Sequence, residues 1–452
     1  MTLRIKTVAL CTLALLAIAI PTQAQAAANV SGAACKTVGA KSANTQKAPL
    51  TCTKVGTKLV WKVAAIAAPK PSASTPSTPT LSGYTVKIGV LTDLTGSSAT
   101  VGRYDRRWAE LMQDRQNAAG GIMGHPVKIY VYDTGLDPTK AASAARKAIE
   151  QDGVVALTCC ISSSESLQVA VVAKQYGVPL LGGSIIGPLT DKDLPSYGTY
   201  FRVLPGEEAT AMANINFAVK KGWKTIGISR STLAYGTSGL ATLTALAKTA
   251  GIKIVEDVAL TSTTTEASAQ AAVLIRANPD AVFTWDYPVP TAAMAAALKQ
   301  GGFKGAFLSN WSALNDTFWA MVGTDLTNTF AHDGYTNLNP RSEAVINEFE
   351  ARYDDRPFSI HQLMTSAFID TAYAAIEAAM KKLAPGAELT GEKVTKGILS
   401  LSCHKTTFGT ESSCLTFGRP YVAASGVNPY QGGTPEMITM KTVEKGKWVA
   451  VK

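Results

Sequence analysis

From residue 84 onward the chain alternates short apolar runs with longer stretches of helical period. "VKIGVLT" (86–92), "VKIYVYD" (127–133), "VVALT" (154–158) and "VPLLGG" (178–183) are bounded by turn residues. Between them lie "DRRWAELMQDRQNAAG" (105–120), where Trp108, Leu111 and Met112 recur at helical spacing, and "DPTKAASAARKAIEQDG" (137–153), which opens on Asp137 and Pro138 as a cap and first turn. Strands that are apolar throughout and alternate with helices predict a parallel sheet covered on both faces. The pattern then begins again: "KTIGISR" (224–230), "IKIVEDVAL" (252–260), "DAVFTWD" (280–286) and "GAFLSN" (305–310) alternate with helices expected near 207–221, 238–250, 266–277 and 291–300. Two successive α/β units of similar size predict two lobes with a cleft between them. In such sheets ligands lie beyond the carboxyl ends of the strands.

The first 83 residues break this pattern. Arg4 and Lys6 precede "VALCTLALLAIAI", an apolar run short for a bilayer span, and "TQAQAAA" offers small-residue cleavage sites, so residues 1–26 read as an export signal. "GAAC", ending at Cys35, loosely resembles a lipid-anchoring site and ranks second because it lies well past the apolar run. Residues 27–67 form a small basic module, and residues 68–83 are a linker rich in Pro, Ser and Thr. The expected location is therefore outside the cytoplasm, periplasmic or at the cell surface or wall.

Charge sharpens this division. The formal charge of +10 is almost entirely N-terminal: residues 1–83 hold nine Lys or Arg and no Asp or Glu, and residues 84–452 hold 34 basic against 33 acidic side chains. That balance argues against a nucleic-acid footprint on the large body. The basic module reads either as a solubilising segment or as a contact with anionic polymers of the cell envelope.

Export also changes how cysteine is read, because an oxidising compartment favours disulfides. Six cysteines remain beyond the signal: Cys35, Cys52, Cys159, Cys160, Cys403 and Cys414. Cys35 and Cys52 sit in the echoed sequences "CKTVGAK" and "CTKVGTK", and a module of this size needs a staple. Cys403 and Cys414 most simply close a second local loop. Cys159 and Cys160 then stand as a vicinal bond, as two reduced apolar fillers, or as partners of the C-terminal pair. Catalytic constellations are missing: the four histidines are dispersed, none has a metal-ligand spacing, and no nucleophile elbow, P-loop or dinucleotide fingerprint occurs. The reading is of a non-enzyme with no cofactor and no metal.

The segments "VKIGVLTDLTGSSATVGR" and "NAAGGIMGHPVKIYVYDTGLDPTKAASAARKAIEQDGVVAL", with "SSSESLQVAVVAKQYGVPLLGG", "YFRVLP", "YGTSGL" and "SAFIDTAYAAIEAAM", resemble the type I periplasmic solute-binding proteins of ABC transporters, in the branched-chain amino acid and amide group. The resemblance covers residues 84–452 in order. It implies two doubly wound α/β lobes joined by three crossing segments, with 84–204 and 334–400 in lobe 1 and 205–333 and 401–452 in lobe 2. A small carboxylate- or amide-bearing solute, an amino acid or a related compound, aromatic ones included, would bind in the cleft, and the permease of an ABC importer in the membrane would recognise closure. Relatives of this kind also serve as ligand-sensing domains acting through a partner receptor, which is the alternative.

The resemblance places ligand contacts at Ser162, Ser163 and Ser164, and elementary chemistry agrees: a helix N-terminus offers free N–H groups to an anion, and serine caps it. The opposite loop, "GGSII", places Ser184 and Ile185 there. Two departures matter. The carboxylate that pairs a ligand ammonium in the family aligns with Trp311, so either Asp286 in "TWDYP" supplies the charge or the ligand has no ammonium. Ile186 stands where a hydroxyl is expected. Tyr235, Trp285, Tyr287 and Trp311 are candidates to stack on a planar ligand, against the plainer reading that they pack the lobe interface. His361 in "FSIHQLMTS" maps near the cleft and reads as a structural histidine.

Overall fold

The structure is a computed structural model and describes residues 34, 36–37, 40–43, 49–55, 57–63, 83–334, 340–406, 414–420 and 428–451. The signal and the linker up to residue 82 lie outside the described residues, as does Cys35. Two compact units divide at Lys70 and Pro71. In the first, β1 (Lys41–Ala43), β2 (Pro49–Val55) and β3 (Lys58–Val63) form an antiparallel sheet in the order β1-β2-β3. Cys52, in its middle strand, is buried and disulfide-bonded.

The second unit holds both lobes. In the first lobe, β4 (Val86–Thr92), β5 (Val127–Asp133), β6 (Ala156–Cys159), β7 (Leu180–Gly182) and β8 (Tyr200–Arg202) make a parallel sheet in the order β5-β4-β6-β7-β8. β4 is almost entirely buried, as a continuous apolar run requires when helices cover both faces. Its helices are α1 (Ala99–Ala118), α2 (Pro138–Glu150) and α3 (Ser163–Gln175). α2 starts where Asp137 accepts from the N–H groups of Thr139 and Lys140, with Pro138 in the first turn.

The second lobe follows with α4 (Glu207–Lys221), β9 (Thr225–Ser231), α5 (Ala234–Thr249), β10 (Lys253–Leu260), α6 (Ser268–Ala277), β11 (Ala281–Trp285), α7 (Pro288–Gln300), β12 (Ala306–Ser309), α8 (Asp316–Val322) and β13 (Thr329–Asp333). The chain then returns to the first lobe through α9 (Pro340–Tyr353), α10 (Ile360–Met380) and α11 (Gly391–Leu399), and ends in β14 (Thr439–Glu444) and β15 (Lys447–Ala450). The second sheet has the order β10-β9-β11-β12-β13-β14-β15, with its last two strands antiparallel. Trp108 of α1 packs on Phe349 of α9 and donates its indole N–H to the carbonyl of Gln362, which seats the returning chain on the first lobe.

Three segments cross between lobes, and two are described. Arg202, at the end of β8, pairs with Gln431, whose amide donates to the carbonyls of Leu204 and Gly433. The third crossing, 335–339, lies outside the described residues. One placement differs from the sequence reading, which put everything after residue 400 in the second lobe. Phe417 packs edge-on against Phe201, His404 lies 3.3 Å from Asp370 of α10, and Cys403 and Cys414 are paired with Cα atoms 4.6 Å apart. The stretch around this pair therefore packs on the first lobe, and β14 is where the chain joins the second sheet. The apolar Leu415 and Phe417 explain this, because both find a buried place beside the β8 edge.

Among the described residues no helix is long and apolar enough to cross a membrane, and no group of three or more His, Cys, Asp or Glu is placed to hold a metal.

Candidate functional site

Both parallel sheets point the carboxyl ends of their strands at the same place. The loops after β6, β7 and β8 come from one side and those after β9, β11 and β12 from the other, with α10 along the flank. Between them lies a cavity of about 20 Å³ lined by Cys160, Ile161, Ser163, Gly183, Ser184, Ile185, Leu204, Tyr235, Tyr287, Trp311, Ser312, His361 and Met364. That is room for about one water molecule. The lobes are therefore closed on each other.

The serine run sits at the start of α3 and acts across the cleft. Ser162 takes the N-cap position, yet its side chain makes no capping bond; its Oγ instead accepts the phenolic O–H of Tyr287 at 3.2 Å. Ser164 Oγ accepts the backbone N–H of Ala234, the first residue of α5, at 3.1 Å. Capping was the plainer expectation for these serines, and the side chain of Ser162 departs from it because a buried phenol competes for its oxygen. Ser163 is the member of the run that lines the cavity. The N-termini of α3, α5 and α7 all open toward this space, so their partial positive charges add there.

The opposite loop is held from behind. Ser184 Oγ lies 2.7 Å from Ser166 Oγ, and the carbonyl of Ser184 accepts from Tyr200 Oη and Arg202 Nε. Arg202 also donates to the carbonyl of Ile186 and to Thr190 Oγ1, and makes no ion pair among the described residues. Burial lowers its pKa, with Tyr200 and Glu207 opposing. Ile185 is buried and lines the cavity.

The aromatic candidates divide. Tyr235, Tyr287 and Trp311 are on the wall, whereas Trp285 stacks behind Tyr235 with ring centroids 5.6 Å apart. Close packing forces Gly239 in "YGTSGL", because a Cβ there would lie 2.2 Å from the Trp285 indole. Tyr235 Oη accepts from Asn310 Nδ2, whose other bond goes to the carbonyl of Asp286.

Asp286 is fully buried but is not part of the wall. Its Oδ1 accepts the N–H of Tyr287, its Oδ2 has no partner among the described residues, and burial raises its pKa well above the usual carboxylate range. It lies behind the site, where burial disfavours its charged form. Sequence reasoning kept His361 out of the ligand contacts and missed Leu204 and Met364, yet all three line the cavity. His361 meets Trp311 across the cleft with ring centroids 5.9 Å apart, has no partner for Nδ1 among the described residues, and is held neutral with its pKa pushed down to about 3, by burial first and by His332 second. Its position in the first turn of α10 was the available signal, since that helix flanks the cavity with its N-terminal end.

No wall residue carries a charge. The nearest carboxyl on the α3 side is Glu165, fully buried near Thr134 and the Ser162 N–H without a short hydrogen bond to either; burial pushes it up to about 7. Cys159 and Cys160 end β6 with their sulfurs in contact, and Cys160 is on the wall.

Known proteins share this architecture. "Leu/Ile/Val-binding protein homolog 3" of Brucella melitensis is 26% identical over 296 residues, covering 65% of this chain and 77% of its own. Among solved structures, an extracellular ligand-binding receptor from Rhodopseudomonas palustris HaA2 superposes with a TM-score of 0.70 at 21% identity, over 81% of this chain and all of that one. A fatty acid ABC transporter substrate-binding protein from Thermomonospora curvata does so with a TM-score of 0.67 at 17% identity, over 83% and 93%. The family model for periplasmic binding proteins matches residues 85–423, and the chain belongs to that family.

Proposed function

We propose that this protein is the extracytoplasmic binding subunit of an ABC importer, and that it captures a small carboxylate with an apolar or aromatic body and no ammonium group. It would hold the solute between the lobes and hand it unchanged to a membrane permease. Residues 27–67 would be its contact with the cell envelope.

The observation that carries the ligand class is the wall itself: helix N-termini and hydroxyls on one side, Tyr235, Tyr287 and Trp311 on the other, and no ionised acid between them. An ammonium in such a site loses its hydration without gaining a counter-charge, a cost of several kcal/mol. A carboxylate meets the N-terminus of α3, with the buried Arg202 behind the Ser184 loop. The Thermomonospora protein serves a fatty acid ABC transporter, which is consistent with an acid lacking an amine in this fold.

Calorimetry with leucine and with its des-amino analogue 4-methylpentanoate, extended to benzoate and phenylacetate, tests this. At least one of the simple acids should bind ten-fold or more tighter than the corresponding amino acid. Tight leucine binding that is lost on Asp286→Asn would overturn the reading and restore Asp286 as the ammonium partner.

A further inference from the structure

The three-stranded unit at the start of the chain carries charge of one sign only. Residues 27–67 contain six lysines and no aspartate or glutamate, whereas the body from residue 84 onward is balanced. Pairing register sets Lys41, Thr51 and Lys62 in one row across β1, β2 and β3. With strands about 4.8 Å apart, the outer two backbone positions of that row are separated by about 10 Å. Lys54 and Lys58 flank the β2–β3 turn and are exposed, as are Lys36, Thr37 and Thr57. Cys52, inside β2, is buried and disulfide-bonded.

Lysine positions spaced along a short sheet, with threonines between them and no acid in residues 27–67 to repel a negative partner, suit a chain with a repeating anionic charge. A folded protein partner of mixed charge would leave several lysines unmatched. A bilayer would draw on an apolar face or an amphipathic helix beside the charge; among the described residues of this unit no helix occurs, and Leu59 and Val60 are half-buried. We propose that this unit binds a linear envelope polymer bearing repeating phosphodiester groups. The biological setting rests on the exported location proposed above; the binding chemistry does not depend on the cleft or its ligand.

The test uses the full chain and fluorescent poly(glycerol phosphate), read by anisotropy between 50 and 200 mM salt. If all six lysines engage at about 0.7 released counterions each, the logarithmic slope is about −4 and affinity falls on the order of 300-fold over that range. The triple variant Lys36→Gln, Lys54→Gln, Lys58→Gln should halve the slope while its melting temperature stays unchanged. Absence of binding at 50 mM salt, or a slope unaltered in the triple variant, overturns the proposal. So does tighter binding to phosphatidylglycerol vesicles than to the polymer, which would assign the unit to a membrane surface. Calorimetry of the cleft with simple acids on the same preparations separates the two readings, because the lysine substitutions should leave it unmoved.

Discussion

Glu165 offers the sharpest test of how the α3 terminus is built. Its carboxyl is buried beside Thr134, with the charges of Asp93 and Asp137 also nearby, and its pKa moves from an ordinary 4.5 to about 7, mainly through desolvation. Because the native state favours the protonated form, the stability it confers is fully present below pH 4.5 and is lost as pH rises through about 7. At about 1.36 kcal/mol per pKa unit, the loss is about 3 kcal/mol at pH 8 and only about 1 kcal/mol at pH 5. Glu165→Gln keeps the shape and removes the titration, so its stability relative to wild type should improve by about 2 kcal/mol between pH 5 and pH 8. Urea unfolding curves of both proteins at the two pH values give this difference directly, and other titrating groups, Asp105 among them at about 6, cancel in it. Parallel pH dependences in the two proteins would refute the reasoning. A functional corollary follows: Tyr287, on the cavity wall, feels the Glu165 charge, so a carboxylate ligand should bind more tightly at pH 6 than at pH 8 in wild type, and Glu165→Gln should flatten that dependence.

Removing the cross-cleft bond with Tyr287→Phe should weaken closure by about 1 kcal/mol, or roughly five-fold in affinity for a confirmed ligand; a double-mutant cycle with Ser162→Ala that shows no coupling would mean the 3.2 Å contact contributes nothing. Gly239→Ala should destabilise by about 1–3 kcal/mol in urea, because its methyl would collide with the Trp285 indole; an unchanged midpoint would show that the ring moves freely. A bond between Cys159 and Cys160 would stiffen the loop that presents Ser163, and non-reducing peptide mapping of the air-oxidised protein should recover it; two alkylatable thiols at these positions would rule it out.

The repeating alternation of apolar strand and amphipathic helix was legible because buried parallel strands have to be continuously hydrophobic, and the eight apolar runs between residues 86 and 310 all became strands. β8 and β13 were not legible: the first is three residues long, and "TFAHD" in the second hides two polar side chains that are buried by tertiary contacts, with His332 bonded to Asn214 and Asp333 paired with Lys441. Helix periodicity also placed the start of α1 too late, since Ala99–Tyr104 carries little amphipathic signal. In the site, the serines and aromatic residues came from motif position. What motif position does not reveal is depth. Asp286 is the immediate neighbour of the wall residue Tyr287 yet faces away from the cavity, because extended backbone turns neighbouring side chains to opposite sides; Trp285 is kept off the wall by Tyr235, which stacks over it.

That alternation bears on selectivity. Tyr287 occupies the wall and Asp286 the interior behind it, so a one-residue difference at the end of β11 decides whether the cleft presents a phenol or an acid. The same holds after β12, where Trp311 fills the wall and meets His332 edge-on at 5.1 Å. With both loops presenting aromatic surface and both nearby histidines held neutral, the electrostatics of the closed cleft come from backbone dipoles, hydroxyls and the buried Arg202 while Glu165 stays protonated below pH about 7. Such a field rewards a negative charge near the serine run and penalises a positive one anywhere in the cavity. Discrimination between an acid and its amino analogue then needs no repulsive side chain: desolvation of the ammonium, uncompensated by any wall residue, is sufficient.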